Sequence, residues 1–265
     1  MVKNELYERL ETDSSISALH TLSVELPDPV IVLGGWAVHL TVNRGYQRDH
    51  GLSYLGSRDV DLGFHIPEGS GLDDLRNGNF FKSIQIIKRL GYWEKGTSRF
   101  CRIIKRGSGE TLDEKQAAMY PQYDLFYLFI DPLVDHPHPL IREISKIKVL
   151  DEPLLKMAIS NDKMKKVDIG GREILVPSPD MLLMMKLSSF PNRTKDDKRL
   201  KDLCDIFSLI WYSEADMQEV LGTAREYSRE KISMIKDQMT NDLLNKASYH
   251  LGVGMEEIES IIKRL

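Results

Sequence analysis

Val30-Ile31-Val32-Leu33-Gly34-Gly35-Trp36-Ala37-Val38, followed by Ser57-Arg58-Asp59-Val60-Asp61-Leu62-Gly63-Phe64, is the part of the chain whose reading decides the fold. Val30 to Leu33 is a short β-branched run that stops at two glycines, the pattern of a buried strand. Trp36 to Val42 suits a helix. Asn43 to Ser57 carries Gly45, Gly51 and Gly56 among polar residues and reads as a loop. Asp59 to Phe64 alternates like a second strand. Side chains on a strand point to its two faces in turn, so Asp59 and Asp61 share one face while Val60 and Leu62 take the apolar other.

Two carboxylates on one strand face repel unless a cation lies between them. Hard divalent ions such as Mg²⁺ want carboxylate oxygens on a rigid support, with phosphate oxygens completing the shell. That is the donor set of two-metal phosphoryl chemistry. Gly34 and Gly35, between strand and helix, let a phosphate approach the backbone, and the helix N-terminus offers free N–H groups to an anion. Each motif alone has a plainer reading, as solvated edge-strand acids or as a tight turn. Strand, glycine pair, helix, loop and D-x-D strand together are more specific.

Outward from this core, residues 5–25 suggest a helix, Phe80 to Leu90 a helix ending at Gly91, and Phe100 to Ile104 and Tyr123 to Ile130 further strands. Pro132, Pro137, Pro139 and Pro153 cluster after the last strong strand and suggest a boundary, giving segments 1–150 and 151–265. Val167 to Val176 reads as a hairpin around Gly170-Gly171. Beyond Pro179 the pattern is helical: Asp180 to Ser189, Leu200 to Trp211, Ala215 to Tyr227, Lys231 to Ala247 and Met255 to Leu265. The predicted fold is α/β (α+β), a small mixed sheet followed by a mostly helical C-terminal part.

Composition sets the outer limits. The chain has 265 residues, 42% hydrophobic and 29% charged, which is enough apolar content for a packed core. No stretch approaches the roughly 18 apolar residues of a membrane span, and the charged opening MVKNELYERLETD has no signal-peptide core, so a cytoplasmic protein with no membrane partner is expected. Cys101 and Cys204 are too few for a disulfide framework and read as small buried hydrophobes. The net charge of −4 hides an asymmetry: Lys163 to Lys201 holds ten Lys/Arg against five Asp/Glu, about +5, leaving about −9 elsewhere. His136-Pro137-His138-Pro139 reads as a rigid loop, and His65, His136 and His138 form no helical metal pair. Lys186 ends an otherwise apolar helix, where it can snorkel or aim a point charge at a phosphate. Asp202 and Asp205, three apart, share a helix face.

The glycine pair and the D-x-D strand resemble the signature of the DNA polymerase β-type nucleotidyltransferase superfamily, here with a spacer about ten residues longer than in minimal members. The stretch Lys186, Arg193, Lys201-Asp202-Leu203-Cys204-Asp205 and the serine at Ser57 are similar to AbiEii-type nucleotidyltransferases, which include toxins of toxin–antitoxin systems. The likeness runs from about Ile31 to Ile210, and the tail after Trp211 has none. It implies a nucleotidyltransferase fold and transfer of a nucleoside monophosphate from an NTP, ATP among them, to a hydroxyl on RNA (a tRNA end) or protein, with an antitoxin protein as a further partner. It implies two Mg²⁺ ions, or Mn²⁺, on Asp59, Asp61 and a third carboxylate from a later strand. Asp124, an acid in an apolar strand, is the expected third ligand and proton acceptor. Asp131, before Pro132, is the rival and reads as a turn residue. Gly34, Gly35, Ser57, Lys186 and Arg193 would bind the nucleotide, Lys186 with a catalytic role at the α-phosphate, and Asp202 would position Lys186. The Gly-Gly-Trp-Ala opening is also similar to aminoglycoside nucleotidyltransferases, whose small-molecule acceptor fits the local basic bias less well. A catalytically inactive nucleotide-binding module is the non-enzyme alternative.

Overall fold

The computed structural model describes residues 6–145 and 147–265. The opening five residues of the charged N-terminal stretch lie outside the described residues. Helix α1 (Arg9–Glu25) precedes strand β1 (Ile31–Leu33), which passes straight into α2 (Gly34–His50). Strand β2 (Val60–Phe64), helices α3 (Leu72–Asn77) and α4 (Asn79–Arg89), and strands β3 (Trp93–Lys95), β4 (Arg99–Lys105) and β5 (Thr111–Leu112) follow. After α5 (Glu114–Ala117) comes the longest strand, β6 (Leu125–Val134), then α6 (Pro139–Ser145), β7 (Leu150–Asp151), α7 (Pro153–Ser160) and the hairpin β8 (Met164–Asp168) and β9 (Glu173–Pro177). The rest is helical: α8 (Pro179–Ser189), α9 (Asp196–Trp211), α10 (Met217–Gln238), α11 (Asn241–Leu251) and α12 (Met255–Lys263). The expected α/β architecture, a mixed sheet followed by a helical C-terminal part, is present.

The chain divides into two compact units, but not at residue 150. One holds Tyr7–Trp36 and Gly56–Val176, the other Ala37–Leu55 and Pro177–Leu265. The hairpin β8–β9 counts with the sheet because β9 pairs in parallel with β1, through Ile31 and Leu175.

In the sheet unit the strand order is β3-β4-β6-β2-β1-β9-β8, with β5 on β4 and β7 on β6. β2 runs antiparallel to β1, with Leu33 opposite Asp61, and parallel to β6, with Asp61 opposite Asp131. One face is apolar: Val60, Leu62, Phe126, Leu128, Ile130 and Phe100 are all buried there. On the same face Phe64 meets Phe80 of α4 edge to face, with ring centroids 5.2 Å apart. Trp36 donates its indole N–H to Ser15 Oγ at 2.8 Å, fixing the start of α2 against α1. The proline cluster does not end β6. Pro132 falls in a gap along one side of the strand, after β4 has begun at Arg99 and before β7 pairs through Leu133, so its missing N–H breaks no ladder there.

In the helical unit α8 and α9 are buried almost throughout, and Leu203, Phe207, Ile235, Ala247 and Ile258 lie at its centre. The first part of the expected loop, Asn43 to His50, is instead the second half of α2, and residues 51–57 are irregular as expected. Gly45 serves close packing rather than a turn, for a Cβ there would overlap the Tyr212 carbonyl oxygen. The expected break near residue 229 lies further on, where Thr240 caps α11 by accepting from the Leu243 N–H at 3.2 Å. Both cysteines are free and buried. Among the described residues no helix is long and apolar enough to cross a membrane.

Candidate functional site: a carboxylate row on the sheet and a buried ionic network

The sheet unit brings together Gly34, Asp59, Asp61 and Asp131. Gly34 closes β1 with φ +62°, a left-handed conformation that glycine adopts without strain. A Cβ at this position would overlap the Asp61 carboxylate. Gly35 follows, buried, in the first turn of α2. The glycine pair is therefore more than a turn: it makes room for one of the two acids of the D-x-D strand. Ser57 and Arg58 lie in the irregular segment ahead of β2. Arg58 is anchored there by an ion pair to the buried Glu11 of α1 at 3.1 Å, and Arg106 holds the same carboxylate at 2.6 Å.

Asp131 stands beside Asp61 in the parallel register, so both side chains rise from one face. Asp124 does not. It ends a turn of 3-10 helix before β6 begins, seven positions back, or roughly 23 Å along an extended chain. Asp124 is therefore not the strand residue that its apolar neighbours suggest. The sequence reading set Asp131 aside because Pro132 follows it, and the gap beside Pro132 removes that objection. Tyr123-Asp124 only looked like strand because apolar residues adjoin it.

Arg99 is the residue that sequence reasoning missed. It donates from Nε to Asp131 Oδ1 at 2.8 Å and from Nη2 to Asp131 Oδ2, a two-pronged ion pair. Its guanidinium lies 4.0 Å from the centroid of the Phe129 ring. Burial works against its charge, but the hydrogen bond and attraction of Asp131, with those of Asp59 and Asp61, hold it above the ordinary arginine range. The four charged groups are thus one electrostatic cluster. Its only sequence signal was an arginine opening a strand. Below it, burial pushes the Cys101 thiol up to about 11.

The donors suit a hard divalent ion in kind. Asp59, Asp61 and Asp131 offer carboxylate oxygens, and the absence of a side chain on Gly34 gives the Asp61 carboxylate its place. In the geometry present, Asp131 is turned to Arg99, and among the described residues no group of three His, Cys, Asp or Glu is poised to hold an ion.

The helical unit holds its own polar cluster. Lys186, at the end of α8, donates to Asp202 Oδ1 at 2.8 Å and lies 2.7 Å from Asp205 Oδ2. Asp202 also accepts from Ser189 Oγ at 3.0 Å and Arg193 Nε at 2.6 Å. Asp205 pairs with Lys201 and accepts from the Tyr54 hydroxyl at 2.8 Å. Lys186, Lys201, Asp202 and Asp205 are all buried. Burial alone would lower the Lys186 pKa, but Asp202 and Asp205 raise it well above the usual range, so the amine stays charged. Burial would raise Asp202, but Lys186 and Arg193 hold it down at about 2. For Lys201 burial wins, helped by the charge on Lys186, and its pKa is lowered despite Asp205. The structure thus brings Lys186, Arg193 and Asp202 together, and adds Asp205, Lys201 and Tyr54. The spacing of Lys201 and Asp205, four apart on a helix, was a usable signal for that pair.

His65, His136 and Asp135 also meet. The buried Asp135 takes one imidazole Nδ1 on each oxygen, His65 at 2.5 Å and His136 at 3.0 Å.

No family model matches the chain, and no curated protein matches it. Among solved structures it is similar to the crystal structure of an antigenic nucleotidyltransferase-like protein from Paracoccidioides brasiliensis. The identity is 17%, covering 87% of this chain and 94% of that one, with a TM-score of 0.39. Likeness at that level says nothing of what this chain binds or transfers.

Proposed function

We propose that the protein is a metal-dependent nucleotidyltransferase that moves a nucleoside monophosphate from an NTP to a hydroxyl acceptor and releases pyrophosphate. The observation that carries this reading is Asp61 beside Asp131 on one sheet face, with Asp59 just ahead of β2 and Gly34 and Gly35 at the start of α2. Asp59 and Asp61 would hold Mg²⁺ or Mn²⁺, with Asp131 as the third carboxylate in place of Asp124. When bound, such ions polarise the α-phosphoryl group and lower the pKa of the acceptor hydroxyl. Asp131 would take the hydroxyl proton as the new P–O bond forms. The backbone N–H groups after Gly34 would face the nucleotide phosphates at the positive end of the helix. For Lys186 and Arg193 the proposal extends to nucleotide phosphate, supported by Asp202, which holds both side chains in one place. The acceptor proposed from the local basic stretch is RNA, and a role as a toxin opposed by an antitoxin belongs to the same reading.

The test is incubation with each α-labelled NTP, Mg²⁺ and cellular RNA or protein, with Asp61→Ala alongside. Label on a macromolecule, present with wild type and lost with Asp61→Ala, supports the reading. Equal transfer by both proteins overturns the site. Magnesium-dependent NTP binding with no product on any acceptor would replace it with the inactive binding module.

A further inference from the structure

Asp131 carries a contradiction. As a ligand it needs an oxygen directed at an ion shared with Asp61, yet both of its oxygens accept from Arg99. The carboxylate is nearly sealed, with its side chain 9% exposed, whereas Arg99 is 35% exposed and opens β4 at the end of its pairing with β6. Both backbones are held in strands, and only the arginine side chain reaches water. Phe129 supports the guanidinium from beneath without donating or accepting, so the seat is complementary to a flat cation and has no second polar anchor there. Asp59 and Asp61 add to the pull on the same guanidinium. Arg99 thus feels all three acids while it is hydrogen-bonded to Asp131.

We propose that Arg99 is the resident counter-ion of the carboxylate row, holding Asp131 until a divalent ion displaces it, so that ion binding and release of Arg99 are one event. This rests on the reading of Asp59, Asp61 and Asp131 as the ion-binding set. Arg99 is a positioning residue: it competes with the ion for Asp131. A positive charge within about 4–6 Å of a carboxylate changes its affinity for a proton by one to three powers of ten, and its affinity for a cation is opposed in the same way. A purely structural arginine has the opposite signature, since its loss would loosen the site.

The experiment is Mn²⁺ titration of the full chain, without nucleotide, by calorimetry and by electron paramagnetic resonance of the free ion. Wild type is compared with Arg99→Gln, Arg99→Lys and Asp61→Ala. Arg99→Gln is expected to bind Mn²⁺ at least about tenfold more tightly than wild type, and Arg99→Lys, which keeps the charge but loses the fork, by less. If Arg99→Gln does not fold, the wild type alone decides through labelling by an arginine-directed dicarbonyl, read by peptide mass spectrometry. Labelling of Arg99 should rise on adding Mn²⁺. Asp61-dependent Mn²⁺ binding by wild type, with Arg99→Gln no tighter or with Arg99 labelling unchanged, overturns this inference and leaves the proposed site standing. No Mn²⁺ binding by any variant overturns both.

Discussion

The Asp61 carboxylate occupies the space in which a side chain on residue 34 would begin. Residue 34 opens α2 directly after β1, and β1 pairs antiparallel with β2 where Leu33 faces Asp61. Glycine at 34 is thus demanded twice, by a φ of +62° and by its neighbour's oxygen. Gly34→Ala should destabilise the chain by about 1–3 kcal/mol, from left-handed strain and from displacing Asp61. On an Asp61→Ala background the same change should cost only the strain, about 1 kcal/mol. Urea unfolding of the four proteins in this cycle measures the difference, and equal costs on both backgrounds would contradict the contact.

The two candidate third carboxylates separate cleanly. Asp131→Asn should weaken Mn²⁺-dependent NTP binding tenfold or more and lower stability, because Arg99 loses its charged partner. Asp124→Asn sits ahead of β6 and should change stability by no more than about 0.5 kcal/mol and leave binding unaltered. Calorimetry on both variants checks this. Loss of binding in Asp124→Asn with full binding in Asp131→Asn would restore the original expectation.

Lys186→Met should be among the most damaging single changes in the helical unit. It strands Asp202, 2% exposed, and Asp205, fully buried, with one cation fewer. Breaking a buried ion pair from one side costs about 3–5 kcal/mol. Lys186→Met with Asp205→Asn should cost less than Lys186→Met alone, because one stranded charge is removed. Denaturation midpoints of the two variants give the answer.

His39 sets a pH dependence. Burial, opposed by its hydrogen bond to the Leu55 carbonyl and helped by the charge on Lys201, lowers it from 6.5 to about 4. The folded chain therefore keeps this imidazole neutral where the unfolded chain protonates it. The His39 contribution to stability is intact above pH 6.5 and is lost as pH falls towards 4. Between pH 7 and 4.5 the loss is about 2 kcal/mol. Urea unfolding at both pH values should show it, and His39→Gln should remove that part of the slope.

Gly45 offers a test that runs against helix propensity. Alanine is favoured over glycine inside a helix by about 1 kcal/mol. Gly45→Ala in the middle of α2 should nevertheless lower the melting temperature, because the added methyl meets the Tyr212 carbonyl. A rise in melting temperature would mean that the two backbones yield.

Local pattern made much of this legible. The β1 run, the D-x-D alternation, the Gly170-Gly171 hairpin and most C-terminal helices follow from period and from turn residues. What failed depended on neighbours distant in sequence. Gly45 looks like a loop glycine until Tyr212 is placed against it, and Pro132 looks like a strand end until the gap between β4 and β7 is seen. Arg99 is marked locally only as an arginine opening a strand, and its meaning comes from the pairing of β4 with β6. The helical ionic cluster was half legible: Lys186, Arg193 and Asp202 were singled out, while Tyr54, 151 positions away from Asp205, was not.

The path of the chain has a consequence for how such a protein changes over time. It passes from one unit to the other at Tyr7, Ala37, Gly56 and Pro177, and the passage at Ala37 lies inside α2. Neither unit is encoded by one uninterrupted stretch of the gene. A single recombination event cannot lend either unit to another protein or replace it in this one. Diversification is left to substitutions and to insertions in exposed connections, while the carboxylate row and the ionic network are inherited together.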